Sequence, residues 1–346
     1  MIITRTPFRI TLGGGGTDLP SYYGKRGGFL VTSAIDKYMY VAVNTPFIDR
    51  LLRVKYSRSE TVKRVSELQH ELAREALKQF KIRDALEVVS FADISAGTGM
   101  GSSSCYLVGL LNALRVYKKE RGSIKSLAEL ACNIEMRRLK KPIGKQDAYI
   151  AAYGGILVME IDRQGRVATR PAKVAMATVR DLEHNLLLYY SGIQRNTEDV
   201  LIDQHTAMRD SQAKTHRAVA SSLDHIKRLG RESLGALEKG ALRRFGKLME
   251  EHWQFKKRLS GKISNPRIDA VYKAARTKGA LGGKVIGAGG GGFLLFYAEH
   301  GHDRIEKLMR SNGMKRLDFR FDFEGSKTLL DLADSRIEYQ QRMERP

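Results

Sequence analysis

The stretch from residue 86 to residue 114 limits most strongly what this chain can become. Residues 86–91, Leu-Glu-Val-Val-Ser-Phe, have a strand pattern. Residues 97–104, Gly-Thr-Gly-Met-Gly-Ser-Ser-Ser, interpose three glycines and three serines. Leu107, Val108, Leu110, Leu111, Ala113 and Leu114 then follow in a nearly unbroken apolar run. The order is strand, glycine loop, helix, and a helix so apolar is expected to be buried. Glycine at every second position lets backbone amides converge on one concavity, and a helix N-terminus adds partial positive charge. This describes a phosphate cradle, with Gly97, Gly99, Met100, Gly101, Ser102, Ser103 and Ser104 as its candidate residues. The loop is not a Walker A sequence, since no Gly-Lys-Ser/Thr ends it. It is not the dinucleotide fingerprint either, whose last two glycines lie three apart, whereas here each glycine pair lies two apart. The simpler alternative is a glycine turn feeding a serine-capped helix.

Two further glycine clusters flank this one. Residues 2–12 alternate as strands interrupted at Pro7, and Gly13, Gly14, Gly15 and Gly16 follow in a row before Thr17-Asp18. Four glycines hold neither strand nor helix cheaply, so backbone is expected to come close to something there. Asp18 is a candidate acceptor for ligand hydroxyls, or else the cap of a short helix through Tyr22 and Tyr23. The third cluster, Gly287-Ala288-Gly289-Gly290-Gly291-Gly292, leads into a strand at 293–297.

Between the clusters, residues 29–32, 39–44 and 51–56 are strand-like, with Lys37 between the first two, and residues 61–80 carry a helical period. Ser123 is expected to open a second helix on Leu127, Leu130, Ala131 and Ile134. Glu135 lies beside that apolar stripe, an unusual place for a carboxylate without a purpose. A basic run at 137–141 precedes Asp147, which starts a short helix ending at Gly154-Gly155, and a strand follows at 156–161. A boundary is expected between 168 and 183, dividing the chain into residues 1–175 and 176–346. Beyond it come a strand at 186–190, a helical region at 196–260 broken at Gly230, Gly235 and Gly240, a helix at 303–312 and an edge strand at 316–322.

The 346 residues provide for a sizeable core. A net charge of +22 is spread through the chain rather than massed in a tail. With no zinc-finger spacing and no aromatic RNA-binding pattern, that field suits anionic small molecules better than nucleic acid. The N-terminus lacks a signal-peptide layout, and no apolar stretch is long enough to span a bilayer, so a cytoplasmic protein without membrane partners is expected. Cys105 and Cys132 are too few for a disulfide scaffold or zinc cluster and read as buried free thiols. Phosphoryl transfer needs positioning and charge neutralisation more than covalent chemistry. A hard cation such as Mg²⁺ takes oxygen ligands, which Ser103 (or Ser102) and Glu135 supply. Asp147 is the candidate to orient and deprotonate an attacking hydroxyl.

Gly-Thr-Gly-Met-Gly-Ser-Ser-Ser at 97–104 resembles the second motif of the GHMP kinases. Thr6-Pro7-Phe8-Arg9-Ile10 with residues 13–18 resembles their first motif, and residues 284–292 their third, in the family's order. The resemblance implies an α+β, two-domain fold: an N-terminal domain of the ribosomal-protein-S5 domain 2 type and a ferredoxin-like C-terminal domain with added helices. It also implies ATP and Mg²⁺ as nucleotide and cofactor, Asp147 as the catalytic aspartate, and Glu135 with Ser103 at the metal. Arg9, Gly14, Gly15, Gly16, Thr17 and Asp18 would line a sugar site approached by Gly289 and Gly290. The Glu-His of galactokinases is replaced here by Gly15-Gly16. Residues 4–23, 146–155 and 284–292 are most similar to heptose 7-phosphate kinases, whose acceptor is an anomeric hydroxyl. Arg195, together with Lys37 or Lys145, is the expected site for the substrate's phosphate. The alternatives carried forward are a kinase for an unphosphorylated sugar such as fucose, and a non-catalytic sensor of sugar and nucleotide. A homodimer is the expected assembly, if any.

Overall fold

The structure is a computed structural model that describes residues 1–193, 202–203, 206–208 and 214–332. Its first sheet takes strands β1 (Ile2–Gly13), β2 (Gly28–Asn44), β3 (Leu52–Lys55), β4 (Ser59–Val62), β5 (Leu86–Ala92), β6 (Ile156–Ile161) and β7 (Val167–Pro171). A second, four-stranded antiparallel sheet is built from β8 (Leu186–Tyr190), β9 (Gly282–Val285), β10 (Phe293–Tyr297) and β11 (Lys315–Arg316), in the order β11-β8-β10-β9. The last strand, β12 (Lys327–Asp331), returns to the first sheet and pairs antiparallel with β1.

Pro7 does not interrupt β1. The strand runs through it, and the missing donor is absorbed by a register shift between Pro7, opposite Tyr38, and Phe8, opposite Ile35. The two strands expected at 29–32 and 39–44 are the halves of one, β2. Its first half pairs with β6 and its second with β5, while β1 runs along its other edge. Nearly every residue of the first half is buried, as is the Ser102–Tyr117 helix, which lies against β1 and β2. The apolar run after the glycine loop thus becomes the central helix of the first half of the chain.

The helix expected at 61–80 is three pieces: β4, a single turn at Val65–Glu67, and the helix Glu71–Gln79. The Glu60 carboxylate accepts from the backbone amides of Gln69 (2.6 Å) and His70 (3.0 Å), which pins the break. His70 Nδ1 then caps the helix by accepting from Ala73 N at 3.2 Å. Ser123 caps its helix as expected, accepting from Ser126 N at 3.1 Å, but beyond Cys132 that helix widens into a π turn over Asn133–Arg138.

In the second half, the helix Lys214–Glu238 runs straight through Gly230 and Gly235 and stops before Gly240. Gly230 is not a breaker but a contact: a Cβ there would lie 2.9 Å from Gly14 N. The helix therefore seats on the first glycine cluster and joins the two halves. Trp253, Tyr272 and Phe296 centre the core of this half. The edge strand expected at 316–322 amounts to two residues, after which the chain crosses to the first sheet, where Phe321 bridges Ile35. The 175/176 position falls between β7 and the helix Met176–Asn185 that leads into the second sheet, and β12, beyond it in sequence, pairs with β1 of the first sheet. Cys105 and Cys132 are buried free thiols. Among the described residues no helix is long and apolar enough to cross a membrane.

Candidate active site

The cradle forms where the strand pattern ends. Gly97, Gly99 and Gly101 all take left-handed backbone, with φ of 79°, 78° and 84°, and Ser102 is the first helical residue. A left-handed residue at every second position turns successive amides to one side, which suits an anion. Met100 contributes backbone only, since its side chain is fully buried in the core.

Asp147 stands at the mouth of this cradle. It lies in the first turn of the helix Gln146–Tyr153, and a Cβ on Gly101 would come 3.1 Å from its carboxylate. Arg9 grips that carboxylate as a fork, Nε to Oδ1 at 2.7 Å and Nη2 to Oδ2 at 3.0 Å, while its Nη1 donates to Gly99 O at 2.9 Å. One buried guanidinium thus fixes the carboxylate and the loop together.

Glu135 is brought to the helix N-terminus by the π turn, which changes the direction a side chain takes from the apolar stripe. Ser103 Oγ donates to its Oε1 at 2.8 Å and Ser104 Oγ to its Oε2 at 2.7 Å. Burial raises the Glu135 carboxyl to about 7, against which the serine bonds and the more distant Lys141 pull only in part. A carboxylate 1% exposed, beside two hydroxyl oxygens and without an ion pair among the described residues, is a hard oxygen donor set. It fits Mg²⁺ completed by phosphate oxygens and water.

Two cavities meet at the cradle. One is lined by Tyr56, His70, Phe91 and Tyr106 with Met39 and Ile94, and opens on Gly97, Ser102 and Ser103. Its aromatic, mostly apolar walls suit a purine base. The other lies on the far side of Asp147, between Arg9, Gly15, Gly16, Asp18 and Gly144 on one wall and His252, Lys256, Lys284 and residues 285–288 on the other. Asp18 does not cap the Pro20–Arg26 helix. Its Oδ2 accepts from Gln146 N at 3.0 Å, and a Cβ on Gly144 would lie 1.9 Å from that oxygen. Burial raises its carboxyl pKa.

Several expected residues act at one remove from these cavities. Thr17 is fully buried, and its hydroxyl is engaged by Gly14 O and Phe29 O at 2.8 Å each. Gly14 faces Phe29 and Gly230 rather than the cavity. Gly289 and Gly290 pack on Ile263, with Gly290 N donating to Ile263 O at 2.7 Å. The third cluster meets the cradle through Gly287 and Gly292, whose Cβ atoms would lie 2.3 and 2.2 Å from Gly99 O and Thr98 O. Lys37 is paired with Asp36 at 2.9 Å, and Lys145 donates to Gly165 O at 2.7 Å with Glu129 3.5 Å away. Neither lysine lines the second cavity, and Arg195 lies outside the described residues. The lysines that do line it, Lys256 and Lys284, received no role from the sequence. The signal available was His252 and Lys256 one turn apart on a helix, and Lys284 inside an apolar strand.

Residues 50–155 match the family described as GHMP kinases N terminal domain, and residues 233–314 that described as GHMP kinases C terminal, together more than half of the chain. The D-glycero-alpha-D-manno-heptose 7-phosphate kinase of Campylobacter jejuni is 29% identical over 343 residues, covering 94% of this chain and 98% of that protein. The L-fucokinase/L-fucose-1-P guanylyltransferase of Bacteroides fragilis is 25% identical over 89% of this chain, which spans 36% of that longer protein. Among solved structures, a D-glycero-D-manno-heptose 1-phosphate kinase from Bacteroides thetaiotaomicron superposes with a TM-score of 0.76 at 22% identity, covering 96% of this chain and 99% of the other. The galactokinase of Lactococcus lactis complexed with galactose gives 0.75 at 15% identity over 95% of each.

Proposed function

We propose that this chain, which belongs to the GHMP kinase family and is an ATP-dependent kinase, phosphorylates the anomeric hydroxyl of D-glycero-D-manno-heptose 7-phosphate. The product is the 1,7-bisphosphate, an intermediate toward a nucleotide-activated heptose. The observation that carries the reading is the position of Asp147, held by Arg9 between an anion cradle on one side and a polar cavity on the other.

In this reading the aromatic cavity takes the adenine, and residues 97–104 take the phosphates on their amides and the helix N-terminus. Ser103 and Glu135 hold Mg²⁺, which neutralises phosphate charge when bound. The sugar lies in the second cavity, with Asp18, Gly15 and Gly16 against its ring and its anomeric hydroxyl on Asp147. That oxygen forms a bond to the γ-phosphorus as the bond to the ADP oxygen breaks, and its proton passes to an Asp147 carboxylate oxygen. The Arg9 fork holds the Asp147 carboxylate in one orientation. That suits a loose transition state, in which the proton leaves late and orientation matters most. Residues 1–175 supply cradle and base, and residues 176–346 supply the opposing wall. Gly14, Thr17, Gly289 and Gly290 act by shaping the loops.

The test is ADP release with Mg-ATP against D-glycero-D-manno-heptose 7-phosphate, mannose, fucose and galactose, with the new phosphate located by NMR. Turnover on the heptose phosphate, with the phosphate at the anomeric carbon, is expected. Turnover confined to a free sugar would keep the chemistry and discard the acceptor. Binding of sugar and nucleotide without turnover would instead favour a sensor.

A further inference from the structure

We propose that Lys256 and Lys284 form a subsite for the phosphomonoester that the acceptor carries before it is phosphorylated. This rests on the kinase reading above and adds to it the residues that select a phosphorylated acceptor.

Both lysines line the cavity beyond Asp147, and neither lines the cradle. Their place is therefore with the acceptor rather than with the phosphates of the nucleotide. Lys256, on the helix Leu242–Lys257, donates from Nζ to Val285 O at 2.8 Å and Gly287 O at 2.5 Å, which leaves one N–H. Lys284, on β9 and 2% exposed, donates from Nζ to Leu12 O at 3.2 Å, which leaves two. The carbonyls fix both ammonium groups without neutralising them. Among the described residues no carboxylate lies within ion-pair distance of either, whereas Arg9 in the same cavity is matched by Asp147. Keeping both as ammonium groups while they are shielded from water without a counterion is costly, and a dianion is the ligand that removes the cost.

Burial, with Arg9 nearby, pushes the Lys256 amine down to about 7. Lys284 is pushed well below its ordinary value by burial, Lys256 and Arg9, and the His252 imidazole is likewise lowered by burial and both lysines. The room is on the same side. Lys284 is anchored at Leu12, the residue before the glycine cluster, where Gly15 and Gly16 bring no side chain to the cavity wall. A sugar whose anomeric end sits on Asp147 has its far carbon free to reach toward these lysines.

The test compares D-glycero-D-manno-heptose 7-phosphate with the unphosphorylated heptose as acceptors for full-length wild type, Lys256→Gln and Lys256→Arg, at saturating Mg-ATP. The quantity read is the ratio of the two kcat/KM values. Wild type is expected to prefer the phosphorylated sugar. Lys256→Gln is expected to reduce that preference about ten- to hundred-fold through KM, the worth of a charge-assisted bond, and Lys256→Arg to restore part of it. Lys284→Gln, read the same way, is expected to add to the loss. Inorganic phosphate is expected to inhibit wild type competitively against the heptose phosphate, and Lys256→Gln more weakly. A preference that survives Lys256→Gln overturns the subsite while leaving the kinase reading intact. Equal losses on both acceptors also overturn it and assign the lysine to the transferred phosphoryl group. A wild type without preference overturns the subsite and the phosphorylated acceptor together.

Discussion

Replacing Glu135 by Gln is expected to make the metal-free protein more stable and the enzyme nearly inactive, and the size of the first effect follows from the structure. The Glu135 carboxyl sits at about 7 in the folded chain against an ordinary 4.5, because burial outweighs the bonds from Ser104 and Ser103. A folded-state value above the unfolded one means that its contribution to stability is fully present below about pH 4.5. That contribution is lost as pH rises through about 7. Two and a half pH units at about 1.4 kcal/mol each put the loss at about 3 kcal/mol near pH 8. Gln cannot ionise, so Glu135→Gln recovers that amount. At about 2 cal/mol/K of unfolding entropy per residue, a chain of this length turns it into a Tm gain of about 4–5 °C.

The assay is thermal unfolding of both proteins in EDTA without nucleotide, from pH 4.5 to 8.5. The gain is expected to be near zero at the acid end and to grow across the range. A gain that is constant with pH, or a variant less stable than wild type at pH 8, would refute the reasoning. With Mg-ATP added, the order is expected to narrow or reverse, since the ionised carboxylate then has its cation.

Asp147→Asn is expected to lower kcat by about 100- to 10,000-fold, with nucleotide affinity by calorimetry within a few-fold of wild type; near-normal turnover would remove Asp147 from its role. Gly287→Ala places a Cβ 2.3 Å from Gly99 O at a φ of 75°. It is expected to cost about 1–3 kcal/mol by denaturant unfolding and to raise the KM for ATP, because the clash falls on the cradle. The kcat/KM for a phosphorylated acceptor is expected to fall as pH rises above about 7, as the Lys256 ammonium loses its proton. A profile for the phosphorylated acceptor that stays level from pH 7 to 8.5 would contradict that assignment.

What the sequence made legible was local. The loop 97–101 and the helix after it, the cap at Ser123, and the oddity of a carboxylate at 135 all follow from short-range pattern, and each stands in the structure. The helical period at 61–80 misled because Val65, Leu68, Leu72, Ala76 and Phe80 are indeed all buried. They reach the core through a single turn and a separate helix, and only the contact of Glu60 with the amides of Gln69 and His70 reveals the break. Gly230 reads as a breaker because a residue without a side chain carries no local sign of what packs on it, whereas Gly235 has open space at its Cβ position and is carried by the helix around it. The base cavity draws Phe91 from β5, Tyr106 from the Ser102–Tyr117 helix, Tyr56 from the end of β3 and His70 from the cap of the Glu71–Gln79 helix, with no spacing to mark them. Lys256 and Lys284 were hidden among sixty basic residues, since what sets them apart is the lack of a nearby carboxylate, a property of the fold.

The three glycine clusters look alike in sequence and do different work, and the difference explains why the cleft needs all three. The middle cluster turns its amides to one side, so it must be side-chain-free at Gly101 to admit the Asp147 carboxylate. A loop with so little side-chain packing of its own has to be held from outside. The third cluster does this, with Gly287 and Gly292 pressed against the carbonyls of Gly99 and Thr98 at distances that no Cβ allows. The first cluster accepts the helix Lys214–Glu238 on Gly13 and Gly14 while leaving Gly15 and Gly16 to the cavity. Its first pair therefore joins the two halves of the chain and its second pair makes room for the acceptor. Arg9 then links the result, since the same guanidinium holds Asp147 and the carbonyl of Gly99. A displacement of any one loop is transmitted through that residue to the carboxylate on which the acceptor hydroxyl is placed.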